Sequence, residues 1–363
     1  MSKKVISTIM YDITMNCNLR CSHCYNAEQL SPGHYVEANI SEVIDGLSKI
    51  KFQHIVIQGG EPLMVKNLEE LIEWFSNKGV NVFITTNATL LTPDRTVRLI
   101  KAGIKGIFFS LESTSEKIND DIRGKGTYRI FYNNVKNFMS IYTELFKKKY
   151  IPPLRAALSC TASSINFSTD QSIRDMFCFA NELGISDITF NFLINQGACK
   201  QLDYNKHMTN FELANSIVRI SKEFPEICVK LPMKQIEHDY LKKHHGEDIN
   251  ICGAKGRCPA GERIAYVDPD LKIYPCIWLS HMNKRKSLAF ENTVSLHNYV
   301  PTTLFESFIE AKNKCLSIFK ECSACEYNGE CIPICPCLEG TEEKAECMGK
   351  PCPTREEIGG YKK

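Results

Sequence analysis

Residues 5–25 read VISTIMYDITMNCNLRCSHCY, and this stretch decides how the rest of the chain is interpreted. Its apolar, β-branched beginning predicts a buried strand. The strand leads directly to Cys17, Cys21 and Cys24, which have the spacing C-x3-C-x2-C. Three thiolates this close together on one loop can bind three of the four irons of a cubic iron–sulfur cluster and leave the fourth iron open. A structural zinc ion would need a fourth ligand, for which His23 is the local candidate.

Beyond this loop, short apolar strands alternate with amphipathic helices as far as about residue 224. The strand candidates are residues 5–13, 54–58, 80–86, 106–111, 154–160 and 188–194. The helix candidates lie near residues 40–50, 67–78, 93–102, 127–148, 169–183 and 210–223. Ser41 and Thr92-Pro93 are expected to cap two of these helices. Six β/α units predict a parallel sheet, either as a barrel or as a doubly wound sheet.

Composition excludes several classes of protein. The chain has 363 residues, of which 43% are hydrophobic and 24% charged, with a formal net charge of +2. This balance argues against a nucleic acid as partner. We find neither an apolar window long enough to cross a membrane nor a cleavable signal at the N-terminus. We therefore expect a cytoplasmic protein that makes no use of a membrane.

The cysteines divide the chain into unequal parts. Seven of the 18 lie before residue 252, and the other eleven lie in residues 252–363. We expect an α/β domain over residues 1–230, a helical linker over 231–251 and a cysteine-rich domain over 252–363. Cytoplasmic thiols stay reduced, so metal or cluster ligands are favoured over a disulfide scaffold. A pair of zinc knuckles is a further interpretation of the same spacing.

Two motifs together carry a resemblance to a known family. The C-x3-C-x2-C loop has an aromatic ring, His23, before its last cysteine, and it follows a first strand. Gly59-Gly60-Glu61-Pro62-Leu63 lies at the end of the second strand candidate. Alone it is compatible with an ordinary turn, but with the cysteines it resembles the GGE motif of the radical S-adenosylmethionine (SAM) superfamily. The resemblance implies a partial (β/α)6 TIM-like barrel over about residues 5–225.

The same resemblance implies which residues bind SAM. The amino and carboxylate groups of SAM would chelate the open iron beside His23. Gly59 and Gly60 would permit close backbone approach, and Glu61 would pair with the ammonium group. Ser110 matches the position that bonds the ribose in relatives, although it can also be a residue of a strand-end turn. Ala88 stands where many relatives carry glycine.

The C-terminal cysteines resemble a SPASM domain, which holds two auxiliary [4Fe–4S] clusters and would bring the total to three. The resemblance implies that the ligands of the first auxiliary cluster are Cys252, Cys258, Cys276 and Cys335. The ligands implied for the second are Cys322, Cys325, Cys331 and Cys352, with Cys347 as the alternative to the last. Leu271 stands where relatives carry glycine, and we expect a turn at Asp270 to replace that glycine.

The implied chemistry is reductive cleavage of SAM followed by abstraction of a hydrogen atom from the substrate. We predict that the substrate is a ribosomally made peptide that undergoes cross-linking, thioether formation or epimerisation. The alternative is a dehydrogenase or epimerase of a small molecule such as a sugar or cyclitol. A non-enzymatic zinc module that binds nucleic acid is disfavoured by the balanced charge. Ile277, directly after Cys276, argues against sulfatase maturation, which places an aspartate there in relatives.

Further partners and one catalytic residue complete the prediction. A reductase, flavodoxin or ferredoxin would supply electrons. A separate peptide-binding protein is expected because Cys17 comes so early in the chain. Cys199 follows the sixth strand candidate, and a thiol at the barrel mouth would donate the hydrogen atom in an epimerase. Its alternative is an ordinary loop cysteine, whereas Cys178 and Cys228 are expected in the core.

Overall fold

The computed structural model describes residues 6–31, 33–193, 197–201, 210–233, 235–246, 249, 251, 258–280, 293–298 and 305–315. Of the cysteines predicted to bind auxiliary clusters, Cys258 and Cys276 are described. The others lie outside the described residues; they are Cys252, Cys322, Cys325, Cys331, Cys335, Cys352 and the alternative Cys347.

One sheet organises the chain, in the order β10-β9-β8-β1-β2-β3-β4-β5-β6-β7. Its strands are β1 (Thr8–Thr14), β2 (His54–Gly59), β3 (Asn81–Thr86), β4 (Gly106–Ser110), β5 (Arg155–Ala162), β6 (Asp187–Phe192), β7 (Cys228–Lys230), β8 (Ile264–Val267), β9 (Lys272–Tyr274) and β10 (Val294–Ser295). From β1 to β7 each strand pairs in parallel with the next. A doubly wound sheet would reverse its strand order at an inner strand. That interpretation is therefore wrong, and the expected partial barrel is confirmed.

Helices connect the strands. They are α1 (Ile40–Ser48), α2 (Leu68–Asn77), α3 (Pro93–Lys101), α4 (Glu116–Arg123), α5 (Thr127–Lys147), α6 (Asp170–Glu182), α7 (Asn210–Ser221), α8 (Gln235–His245), α9 (Ile277–Ser280) and α10 (Glu306–Cys315). All six predicted β/α units are present. Thr92 caps α3 as predicted, since its hydroxyl accepts from the Arg95 amide at 3.1 Å. The cap of α1 is Asn39 and not Ser41, because the Asn39 side chain accepts from the amide of Glu42.

The segment after the predicted linker contributes to the same sheet. Strand β8 pairs in parallel with β1, opposite β2, and aligns Thr8 with Ile264 and Tyr11 with Val267. Strands β9 and β10 then continue antiparallel. The expected boundary at residue 252 is therefore not a boundary of the sheet.

Leu271 corrects the expectation for the turn before Cys276. Leu271 itself has a left-handed backbone, with φ of 55°, and the role expected for Asp270 is wrong. Its amide donates to the Asp268 carbonyl at 3.0 Å, which closes the turn between β8 and β9. The side chain is buried and packs over Gly46 of α1. Packing therefore keeps a leucine where backbone geometry favours glycine.

The part of the chain that the structure describes contains no helix long and apolar enough to span a membrane.

Candidate active site

The loop that carries the three cysteines, residues 15–31, follows β1 at the carboxyl edge of the parallel strands. Active sites of barrels built from parallel strands lie at this edge. Cys17 is buried, whereas Cys21 and Cys24 are partly exposed. Arg20 fixes both ends of this cysteine loop, because its guanidinium donates to the carbonyls of Cys17 and Ser31, each at 2.8 Å. The loop is thus held through its backbone carbonyls, while the Cys17 sulfur accepts from the Leu19 amide at 3.5 Å.

Burial sets the protonation of these thiols. It raises the pKa of Cys17 to about 12 and that of Cys24 to about 11. A cysteine binds a metal as the thiolate, the form that burial disfavours here. The positive charge of a bound metal would therefore have to stabilise these thiolates. Among the described residues, no group of three His, Cys, Asp or Glu side chains is placed to hold a single metal ion.

The Gly59-Gly60-Glu61 turn packs against the start of the cysteine loop. The amides of Gly60 and Glu61 donate to the carbonyls of Thr14 and Asn16 at 2.7 and 2.8 Å. A Cβ on Gly59 would lie 2.4 Å from the Thr14 oxygen, and one on Gly60 would lie 2.2 Å from the Asn16 oxygen. Only glycine fits at either position, so the two motifs form one structural unit.

Glu61 anchors this unit to the loop after β3. Its carboxylate is 1% exposed and accepts from the Thr86 hydroxyl at 2.6 Å and from the amides of Asn87 and Leu63 at 2.8 and 3.0 Å. Burial raises the pKa of Glu61, and these hydrogen bonds oppose the rise. A carboxylate offers about four acceptor positions. One position therefore remains for another donor.

The loop after β3 also reaches the cysteine loop directly. The amide group of Asn87 donates to the Asn18 side chain at 3.0 Å, and Asn18 donates to the Thr89 hydroxyl at 2.8 Å. Ala88, which lies between Asn87 and Thr89, has a left-handed φ of 59°. The position where relatives carry glycine thus has the backbone that glycine favours.

A cavity of about 330 Å³ lies beside the cysteine loop. Its apolar walls include Ile118 and Ile122 of α4, Ile165 after β5 and Leu193 after β6. His23 lines the cavity, and its Nδ1 is buried without a hydrogen-bond partner. Apolar walls with a few polar side chains between them, His23 and Glu112 included, are typical of a binding site for a small molecule.

Glu112 and Arg123 form a charged pair at this cavity that the sequence did not reveal. Arg123 bonds the Glu112 carboxylate, and its Nη1 lies 4.0 Å from the Cys21 sulfur. His23 Nε2 lies 3.3 Å from the same carboxylate, which also accepts from the Thr161 amide at 2.7 Å. Burial alone would raise the pKa of Glu112, but His23 and Arg123 lower it to about 2. The Glu112 carboxylate therefore stays ionised at neutral pH and holds the His23 ring. Its partner Arg123 places a positive charge near Cys21. The only signal in the sequence was the position of Glu112, two residues after Ser110.

The predicted SAM-binding residues occupy three places. His23 lines the cavity. Gly59, Gly60 and Glu61 pack against the cysteine loop and the loop after β3. Ser110 is the last residue of β4, where it aligns with Ser159 of β5, and it is not part of the cavity wall.

Cys199 lies in a segment that packs against the His23 and Cys24 backbone of the cysteine loop. It belongs to a short 3₁₀ helix, Gly197–Gln201, and its buried thiol donates to the His23 carbonyl at 2.9 Å. The Ala198 amide donates to the Cys24 carbonyl at 3.0 Å, and a Cβ on Gly197 would lie 2.4 Å from that same oxygen. The segment therefore supports the two residues at the end of the cysteine motif. Cys199 is not among the residues that line the cavity.

Of the other described cysteines, Cys160 of β5 is buried, and its thiol donates to the Glu112 carbonyl at 3.8 Å. Cys258 is exposed, and Cys276 is partly buried. Cys178 is exposed, so its expected place in the core is wrong. Cys228, the first residue of β7, is only partly buried, so its expected place in the core is also wrong.

Residues 11–145 match the family model described as the radical SAM superfamily. This stretch contains the cysteine loop, the Gly59-Gly60-Glu61 turn and the Glu112–Arg123 pair. The chain therefore carries a radical SAM domain.

Three curated relatives are similar to the chain. The AdoMet-dependent heme synthase of Methanosarcina barkeri is 24% identical over 285 residues, which are 75% of this chain and 76% of that protein. The mycofactocin maturase MftC of Mycobacterium tuberculosis is 28% identical over 130 residues, 36% of this chain and 33% of the maturase. The Fe-coproporphyrin III synthase of Methanosarcina barkeri is 32% identical over 130 residues, 35% of this chain and 32% of that protein. The similarity to these last two proteins spans only about a third of their length.

Two solved structures share the fold over nearly the whole chain. Streptococcus suis SuiB bound to S-adenosylmethionine superposes with a TM-score of 0.62 at 17% identity, covering 92% of this chain and 73% of SuiB. The enzyme anSMEcpe, with bound AdoMet and a peptide, superposes with a TM-score of 0.60 at 17% identity, covering 91% and 88%. At this level of identity the similarity shows the fold.

Proposed function

We propose that this chain is a radical SAM enzyme that modifies a ribosomally made peptide. The observation that carries the proposal is that the cysteine loop, at the carboxyl edge of the sheet, packs against the Gly59-Gly60-Glu61 turn and also lines the cavity. Cys17, Cys21 and Cys24 would hold a [4Fe–4S] cluster, which, when bound, supplies the electron that cleaves SAM reductively.

The residues around the loop would bind and orient SAM. The unused acceptor position of Glu61 would take the ammonium group, and its three existing hydrogen bonds keep the carboxylate fixed. His23 and the apolar walls would enclose the adenosyl group and exclude water. Ser110 would bond a ribose hydroxyl. Water exclusion matters because a closed cavity keeps a reactive group beside the substrate and prevents side reactions.

A peptide substrate is supported by two similarities. The mycofactocin maturase resembles this chain over 130 residues, and SuiB, which shares the fold, was solved with its precursor peptide SuiA. A peptide would reach the site at the carboxyl edge of the parallel strands, close to Ile165, which is 41% exposed. Cys199 stays our candidate for the hydrogen donor in an epimerisation.

A small-molecule substrate is the second candidate. The similarity to a heme synthase extends over 75% of the chain and favours it. A dehydrogenase or epimerase of a sugar or cyclitol belongs to the same candidate class. A short precursor peptide encoded beside this gene, or a set of sugar-biosynthesis genes there, would separate the two candidates.

We further propose a SPASM-like region with two auxiliary clusters, and a flavodoxin, ferredoxin or reductase as electron donor. The support for the auxiliary clusters is the cysteine spacing of residues 252–352. Of the proposed ligands, Cys258 and Cys276 are described.

Metal analysis tests the proposal. Anaerobic reconstitution should give about twelve irons and a similar amount of sulfide per chain, from three cubic clusters. Replacing Cys17, Cys21 and Cys24 together by alanine should remove about a third of the iron and abolish formation of 5′-deoxyadenosine. Cys178→Ala, at an exposed thiol, is the matched control and should change neither quantity. Stoichiometric zinc without sulfide would rule the proposal out.

A further inference from the structure

A buried carboxylate lies at the strand that enters the cysteine loop. Asp12 of β1 is 0% exposed. Its Oδ1 accepts from the Gln58 side chain at 3.0 Å, and its Oδ2 accepts from the Tyr266 hydroxyl at 2.8 Å. The Asn26 side chain also points to Oδ2, at 3.4 Å. The three donors belong to β2, to β8 and to the cysteine loop, so one carboxylate joins three separate parts of the chain.

Asn26 is the point at which Asp12 holds the loop. It comes two residues after Cys24 and is 1% exposed. Its carbonyl accepts from the amides of Gln29 and Leu30 at 2.8 and 3.1 Å, which closes the turn after the last cysteine. Since Asp12 itself lies on the strand that leads to Cys17, the two ends of the cysteine motif meet through this carboxylate.

The same C-terminal elements touch the loop on both sides of Asn26. The rings of Tyr25 and Trp278 meet edge to face with centroids 5.5 Å apart. The side chain of Gln29 donates to the Ser280 carbonyl at 3.4 Å. Trp278 and Ser280 belong to α9, which directly follows the β8–β9 hairpin that carries Tyr266. The hairpin and α9 thus form a support for three nearby residues of the loop.

We propose that Asp12 is a positioning residue through which the C-terminal hairpin holds the cysteine loop in the shape that binds the cluster. The inference rests on the proposed function for the cluster, although the contacts themselves are independent of it. All three groups around Asp12 donate hydrogen bonds, and only a carboxylate can accept from all of them. An asparagine of the same size would turn one acceptor into a donor that faces another donor.

Three variants of the full chain test the proposal. Asp12→Asn removes the shared acceptor, and Tyr266→Phe removes only the donor from the hairpin. Tyr274→Phe is the matched control, because it removes a similar bond, from the Tyr274 hydroxyl to Asp268 at 3.0 Å, within the same hairpin. Hydrogen exchange of the amides of residues 18–30 is measured on the cluster-free chain. Iron loss to a chelator, and the electron paramagnetic resonance (EPR) spectrum of the reduced cluster with SAM, are measured after reconstitution.

Asp12→Asn and Tyr266→Phe should both speed exchange in the loop and iron loss by about tenfold, since a hydrogen bond to a charged group stabilises by about one such factor or more. Both should also change the EPR spectrum, whereas Tyr274→Phe should match the original protein. Unchanged loop exchange in both variants, or an equal effect of Tyr274→Phe, would overturn the proposal. If Asp12→Asn does not fold, Tyr266→Phe keeps the carboxylate and decides the question. A protein that binds no iron at all would refute the proposed function, and the exchange comparison would still test Asp12.

Discussion

At the scale of the residue, Ala88 and Leu271 share a left-handed backbone but differ in what their side chains contribute. Their φ angles are 59° and 55°. A non-glycine residue pays about 1–2 kcal/mol for this conformation. Glycine would remove that strain, but it loses about 0.4–1 kcal/mol through the freer unfolded chain. Whether glycine raises or lowers the free energy of unfolding at each position therefore depends on the side chain that it removes.

We expect Ala88→Gly to change the free energy of unfolding by less than about 1 kcal/mol, because the loss of one buried methyl, about 0.8 kcal/mol, adds to the entropy term and offsets the strain. Leu271→Gly should destabilise by at least about 2 kcal/mol, because it empties a buried leucine site against Gly46. Leu271→Ala, the control, keeps the strain but also keeps one methyl group, so by the same balance it should lie within about 1 kcal/mol of Leu271→Gly. Urea unfolding measures all three variants. A Leu271→Gly variant as stable as the original protein would show that the buried leucine side chain contributes no more than the backbone strain costs.

At the same scale, sequence reasoning found residues whose role depends on near neighbours. The cysteine spacing and the two glycines of the Gly59-Gly60-Glu61 turn are local patterns. Asp270 was the wrong choice for the left-handed residue, because general turn preferences outweighed packing over Gly46, which is distant in sequence. Glu112 was missed because its meaning depends on Arg123 and His23, which come from two other segments.

At the scale of the element, Glu112 joins β4, α4 and β5 around the cavity. Its side chain bonds Arg123 of α4 and the Thr161 amide of β5. Its carbonyl accepts from the Asn166 side chain at 2.7 Å. The carboxylate is buried, and Arg123 is 10% exposed, so removing the negative charge would leave a cation without its partner.

Glu112→Gln should therefore destabilise the cluster-free chain at pH 7 by about 3–5 kcal/mol, the usual cost of removing one member of a buried pair. The pKa of Glu112 in the folded chain, about 2, lies below its ordinary value of 4.5. The contribution of the carboxylate is thus fully present above about pH 4.5 and is lost as the pH falls through about 2. The difference in free energy of unfolding between the original protein and Glu112→Gln should shrink as the pH falls over the same range.

Urea unfolding at several pH values measures this difference. Glu223→Gln is the control, since Glu223 pairs with Arg174 but is 45% exposed, and it should cost less than about 1 kcal/mol. A Glu112→Gln variant as stable as the control variant would mean that Arg123 finds another partner.

Elements with local signals were predicted well, and elements that depend on distant pairing were not. The six β/α units were visible because hydrophobic period and caps act within a few residues. Strand β8 was missed, since it is four residues long and pairs with β1 across more than 250 positions of sequence. A short apolar run carries no information about such a partner.

At the scale of the whole molecule, β8 makes the C-terminal part a component of the barrel sheet. It covers the edge of β1, and the amides of Ser7 and Thr8 donate to the Arg263 carbonyl at 2.8 and 3.0 Å. Lys312 of α10 is 1% exposed and holds the segment before β8, because its ammonium donates to the carbonyls of Cys258 and Ala260 at 2.7 and 2.9 Å. The strand that carries Asp12 therefore depends on residues far along the chain.

Two truncated chains would separate support of the sheet from binding of auxiliary iron. A chain ending at residue 315 keeps β8 and Lys312 but loses five of the proposed auxiliary ligands. We expect it to elute without aggregates, like the full chain, and to retain about four irons, those of the SAM-binding cluster. A chain ending at residue 257 also loses β8, which exposes the edge of β1, and exposed strand edges associate. We expect it to aggregate and to bind little iron. Size-exclusion chromatography and iron analysis after anaerobic reconstitution measure both. If the shorter chain is monomeric and holds as much iron as the longer one, β1 needs no cover, and the cysteine loop would owe its shape to the barrel alone.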